Sequence, residues 1–191
     1  MQGEDVIQNA APGGALSDGG TDVRTFLIAD MRGYTSFTVE HGDAAAARLA
    51  STFAGLTRDA ITARGGEVIE LRGDEALAVF SSTRQALWAA SELQGQLAQA
   101  SISDTATPLK AGIGIDAGEA IPIEGGYRGA ALNLAARLSS LAGAGEILVT
   151  EAITHLARKV DGLEYVERGA MELKGFAEPV MVLEVLSLIH I

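Results

Sequence analysis

The chain of 191 residues carries 14 Lys and Arg against 25 Asp and Glu, for a formal charge of −11, and 48% of it is hydrophobic. That length holds one domain with a real core, and so acidic a surface argues against nucleic acid or an anionic membrane as partner, since both are held by clustered cations. The absence of cysteine excludes disulfides, zinc-thiolate sites and cysteine nucleophiles and suits a reducing, cytoplasmic setting.

Residues 1–22 lack the basic start and apolar block of a signal peptide and read as a disordered leader rich in Gly, Ala, Asp and Asn. Residues 23–186 hold the periodic pattern of a folded domain. Thr25 to Asp30 is a buried-strand run. Asp43 is a candidate N-cap for a helix reaching Ala63, in which Leu49, Phe53, Leu56 and Ala60 line one face. Gly65-Gly66 ends it. Glu67 to Leu71 and Glu75 to Phe80 read as strands joined by a tight turn at Arg72-Gly73-Asp74. A second helix near Thr83 to Ala100 has Leu87, Ala90, Leu93 and Leu97 on one stripe. Strands follow at Leu109 to Asp116 and Glu119 to Ile123, and Gly125-Gly126 breaks the chain before a third helix, Ala130 to Leu141. Glu146 to Thr150 is a strand, Glu151 to Lys159 a short helix, and Glu164 to Leu173 with Val180 to Leu186 an antiparallel pair. Residues 187–191 form a short apolar tail. No run approaches the roughly 20 apolar residues that span a bilayer, and there is no internal repeat. This order predicts an α+β fold, one mixed sheet with helices packed on one face.

Asp30 and Asp74 each follow a short strand, so a sheet that sets those strands side by side brings both carboxylates to one edge. Hard cations such as Mg²⁺ need oxygen sites of that kind, completed by substrate phosphates, although Asp is also an ordinary turn residue. On the third helix Asn133 and Arg137 stand four apart on one face, while Leu134, Leu138 and Leu141 make a separate stripe. Lys174 lies before a glycine between the last two strands. The histidines, His41, His155 and His190, have neither zinc nor triad spacing, and no P-loop sequence occurs.

Together these segments resemble the catalytic domain of class III adenylate and guanylate cyclases, from Thr25 to Leu186. Phe26-Leu-Ile-Ala-Asp30-Met-Arg-Gly33-Tyr34-Thr35 is similar to the family's first metal segment, and Arg72-Gly73-Asp74-Glu75-Ala-Leu-Ala-Val-Phe80 to its second metal hairpin. Gly129 to Arg137 resembles the helix with the paired Asn and Arg, and Leu173-Lys174-Gly175 the late phosphate-contacting lysine. The resemblance implies a ferredoxin-like (palm-like), mainly antiparallel sheet. It also implies two Mg²⁺ or Mn²⁺ ions held by Asp30, Asp74 and the Met31 carbonyl, and triphosphate cradled by the backbone amides of Arg32, Gly33, Tyr34 and Thr35 and by Lys174. Asn133 would orient the ribose and Arg137 would offset charge at the α-phosphate. A homodimer is implied, with ATP or GTP bound between subunits.

The base-selecting positions depart from the family pattern. Glu70 stands where adenylate cyclases carry Lys and guanylate cyclases Glu; a carboxylate only accepts hydrogen bonds and so fits guanine donors. Gly126, at the second such position, offers no side chain. Arg72 replaces an aliphatic residue and can pair with Glu70 or with Asp74. A degenerate cyclase homology domain, acting as a nucleotide-binding or dimerisation module for a fused or partner regulatory domain, is the alternative reading.

Overall fold

In the computed structural model, which describes residues 22–188, the first strand β1 (Asp22–Met31) lies in the interior of the sheet, paired on both sides. The expected leader, apart from Asp22 which opens β1, lies outside the described residues, as do residues 189–191 of the expected tail. Period-two alternation sends Leu27, Ala29 and Met31 to one face and Phe26 and Ile28 to the other, and both faces are buried.

After β1 the chain turns into the helix α1 (Tyr34–His41), then α2 (Asp43–Ala63). Gly42 takes the capping position expected of Asp43, which is the first helical residue, where its negative charge complements the helix dipole. Leu49, Phe53, Ala60 and Ile61 of α2 are buried against the sheet, and burial of a side chain such as Phe53 stabilises by about 1.5–3 kcal/mol. The hairpin of β2 (Glu67–Arg72) and β3 (Glu75–Phe80) has a two-residue turn with Gly73 at φ 58. That is the position where a hairpin turn of this length needs glycine. Ser82 caps α3 (Thr83–Ser103), accepting a bond from the Gln85 amide at 3.5 Å.

The next element differs from the expected pair of strands. Ala111–Ile123 is one continuous strand, β4, whose far end pairs with a short strand β5 (Gly126–Arg128) that the sequence pattern does not predict. The expected strands leave a gap at Ala117-Gly118, yet the glycines of β4 have their cause in packing. Gly112, Gly114, Asp116, Gly118 and Ala120 share the face covered by the helix α4 (Ala130–Leu141), where there is little room for side chains. A Cβ at Gly114 would stand 2.8 Å from the Leu138 carbonyl carbon and closer still to Ala135 O and Ser139 N. The chain continues through β6 (Ile147–Thr150), α5 (Glu151–Ala157), β7 (Leu163–Met171) and β8 (Val180–Ser187).

Strand order is β2-β3-β1-β4-β6-β8-β7, with β5 beside β4. Among the described residues β4 and β6 form the single parallel pair, joined by the crossover helix α4, and every other pairing is antiparallel. The fold is therefore the expected α+β class with a mixed, mainly antiparallel sheet. Residues of α2, α3 and α5 share one face, as expected, whereas α4 packs on the opposite one.

Candidate functional site

The antiparallel pairing of β1 with β3 places Asp30 directly across from Glu75, and Glu75 in turn lies across from Arg72 on β2. Asp74, in the intervening turn, is fastened to the end of β1: its carbonyl accepts the Met31 amide at 2.8 Å. Asp30 and Asp74 thus meet at one sheet edge. Partial burial of Glu75, followed by the charges of Asp30, Asp74 and Glu70, pushes the Glu75 carboxyl above the usual carboxylate range. A row of hard oxygen donors whose charges repel one another suits a divalent cation. No cluster of three or more His, Asp or Glu positioned for a metal occurs among the described residues.

Two arginines enter this row. Arg72 Nε pairs with Glu70 Oε1, leaving Asp74 free of it. Strand β2 is irregular between Val68 and Glu70, but from Glu70 to the turn its pairing is regular, which keeps residues 70 and 72 on one side. Arg32 does more. Its Nη1 binds Asp30 Oδ2, its Nε donates to Ala142 O at 3.0 Å, and its Nη2 donates to Ser139 O. Its backbone amide donates to Lys110 O at 2.6 Å. That bond removes Arg32 from the expected amide cradle and leaves Gly33, Tyr34 and Thr35, at the first turn of α1. Those amides have no intrahelical acceptor, and the cap Gly33, at φ 79, supplies no side-chain one.

On α4, Asn133 and Arg137 are exposed on the side away from the sheet. The Arg137 Nε donates to the Lys174 carbonyl at 3.2 Å. Lys174 sits in a turn closed by Phe176 N to Leu173 O at 3.0 Å, with Gly175 at φ 95 in the third position. Leu173 is buried with Leu138, Leu148 and Val182, so this group stands over β6 and β8, beyond α4 from the carboxylates over β1 and β3. Gly126 lies beside β2: a Cβ there would touch Ile69 Cγ2 at an ordinary 3.6 Å. The fold therefore sets the Gly126 backbone against Ile69, the residue before Glu70, and sets Arg137 with Lys174. None of these residues lines the cavity of about 1150 Å³ between α3 and β8 or the one of about 650 Å³ beside α4.

Sequence reasoning missed Asp116. It is 3% exposed, accepts a bond from Thr150 Oγ1, and borders the smaller cavity. Burial pushes its pKa up to about 6 against the bonds from Thr150 and the Ala117 amide. The signal was an acidic residue at inward parity within an otherwise apolar strand. The side-chain role of Arg32 was also missed, because its acceptors on Ser139 and Ala142 are remote in sequence and leave no local signal.

Residues 19–185 match the family described as the adenylate and guanylate cyclase catalytic domain, and the chain belongs to that family. Among relatives, an adenylate cyclase of Glutamicibacter nicotianae is 32% identical over 140 residues, 72% of this chain and 33% of its own length. A solved adenylate/guanylate cyclase/hydrolase from Silicibacter pomeroyi superposes with a TM-score of 0.78 at 26% identity, covering 87% of this chain and 98% of that one. The guanylyl cyclase Cya2 gives 0.75 at 27% identity, covering 88% and 94%. The chain spans only a third to two fifths of the length of the curated relatives it matches. No helix among the described residues is long and apolar enough to cross a membrane.

Proposed function

We propose that this domain is a nucleotidyl cyclase that converts ATP or GTP to a 3′,5′-cyclic nucleotide and pyrophosphate, at sites completed between two copies of the chain. The observation that carries the reading is the division of the polar residues. Asp30 and Asp74 meet at the β1–β3 edge, whereas Arg137 and Lys174 meet beyond α4. Neither group lines either of the two cavities described above, and a second copy facing the first would supply to each what it lacks.

Asp30 and Asp74, with the Met31 carbonyl, would hold two Mg²⁺ or Mn²⁺ ions, which when bound lower the pKa of the ribose 3′-hydroxyl and neutralise the phosphates. The amides of Gly33, Tyr34 and Thr35 receive the distal phosphates at a helix N-terminus. From the other copy, Lys174 contributes a point charge to the same phosphates. Arg137 stabilises charge on the α-phosphate as the 3′-oxygen bonds to phosphorus and the bond to pyrophosphate breaks, and Asn133 orients the ribose. Glu70, drawn to Arg72, and the bare Gly126 leave the base edge without a fixed adenine reader. The greater length of the relatives supports a fused or partner regulatory domain.

The test is turnover by the purified chain with Mn²⁺ and either ATP or GTP, with Asp30→Ala as control. Cyclic product from one of them, abolished in the variant, is expected. A well-folded dimer that makes neither product refutes the reading.

A further inference from the structure

The Arg32 side chain joins two parts of the molecule that the proposed chemistry treats separately. It runs along β4 over Gly112, where a Cβ would collide with its guanidinium and would lie 2.6 Å from Ala142 O. There it caps two carbonyls at the C-terminal end of α4, Ser139 O and Ala142 O, and donates to the Asp30 carboxylate. Helix ends carry unsatisfied carbonyls and partial negative charge, so three acceptors hold this one cation in place. Its side chain is 23% exposed and that of Asp30 31%, which limits screening by solvent.

From this geometry we infer that Arg32 is an internal cation that sets the metal affinity of the site, by opposing a divalent ion at Asp30. The inference rests on the reading of Asp30 as a metal ligand. A guanidinium fixed on one carboxylate oxygen withdraws an acceptor and repels a dication arriving at the other, and a group anchored on two helix carbonyls cannot simply turn into solvent. Metal binding is thereby weakened until the substrate triphosphate adds its own negative charge, so the site loads metal together with nucleotide. Arg32 is a positioning residue in this account: it acts through Asp30 and touches no reacting atom.

Mn²⁺ binding, followed by electron paramagnetic resonance on the nucleotide-free protein, tests it without recourse to turnover. Arg32→Gln keeps a donor for the α4 carbonyls and removes the charge. It is expected to bind Mn²⁺ about tenfold more tightly than wild type, while Arg32→Lys, which keeps the charge, stays within about threefold. Unchanged or weaker binding by Arg32→Gln overturns the inference. Should that variant fail to fold, a change larger than threefold in Arg32→Lys overturns it instead. Asp30→Ala separates the two levels: if it leaves Mn²⁺ binding intact, the metal reading falls and this inference with it, whereas lost binding there with no gain in Arg32→Gln refutes the inference alone.

Discussion

Gly114→Ala is the substitution on which the placement of α4 can be tested most directly. The three atoms nearest the added methyl would all be helix backbone: the Leu138 carbonyl carbon at 2.8 Å, with Ala135 O and Ser139 N closer. Backbone has no rotamer to yield, so α4 must lift from β4 by about 1 Å to restore ordinary contact distances, and overpacking of this kind costs about 1–3 kcal/mol. Taking the upper end, Tm falls by roughly 6–12 °C for a domain of this size. Because Asn133 and Arg137 ride on the displaced helix, turnover falls by about 10²-fold, the usual cost of a 1 Å misplacement. Thermal denaturation and a cyclic-product assay read the two effects, with Gly118→Ala as control, since its Cβ would meet only the Ala131 methyl, at 3.2 Å. A Gly114→Ala protein with wild-type Tm and turnover refutes the argument that close approach of α4 explains the glycines of β4.

Asp116, with a pKa of about 6 in the fold against 3.8 unfolded, holds a proton in the native state that the unfolded chain has already released. Stability contributed by this group is therefore lost as pH rises from about 4 to 6 and stays lost above, by roughly 1–3 kcal/mol. Denaturant unfolding at pH 4.5 and 7 should show that loss in the wild type and a flatter response in Asp116→Asn; parallel slopes refute it. Glu70→Lys combined with Gly126→Asp should raise the rate with ATP relative to GTP in a competition assay, since residue 126 has room for a side chain. No gain for ATP removes both positions from base selection. Asp30→Ala and Arg137→Ala, each inactive alone, should recover turnover when mixed, because one mixed dimer then holds one intact site. No recovery, with subunit exchange demonstrated, places both residues of one site on the same subunit and refutes the shared-site arrangement.

The extent to which the chain disclosed itself follows from what local pattern encodes. Helix α2 and strand β3 have the bounds that apolar periodicity and flanking glycines indicate, because caps and amphipathic faces are local properties. Asp30 and Asp74 could be paired in advance because each ends a strand at a turn. Strand β4 reads along the chain as two strands with a gap at Ala117-Gly118, while the reason for its glycines lies across the sheet, in the approach of a helix that begins at residue 130. The destination of Arg32 was illegible for the same reason: two of its three acceptors, Ser139 O and Ala142 O, are more than a hundred residues away. The position of α4 on the opposite face depends on which side of the sheet a crossover takes, which no periodicity within the helix records.

The interior place of β1 has a consequence for synthesis. Its two neighbours arrive late: Thr25 to Asp30 wait for Glu75 to Phe80, and the other edge waits for Ala111 to Ala120. On a nascent chain Phe26 and Ile28 therefore lack the helix that covers them, α4, until residue 141 has cleared the exit tunnel, whereas α2 and α3, which cover Leu27, are made earlier. Throughout that interval the carboxylate of Asp30 has no fixed surroundings, and this apolar strand is the segment that a chaperone has most reason to hold.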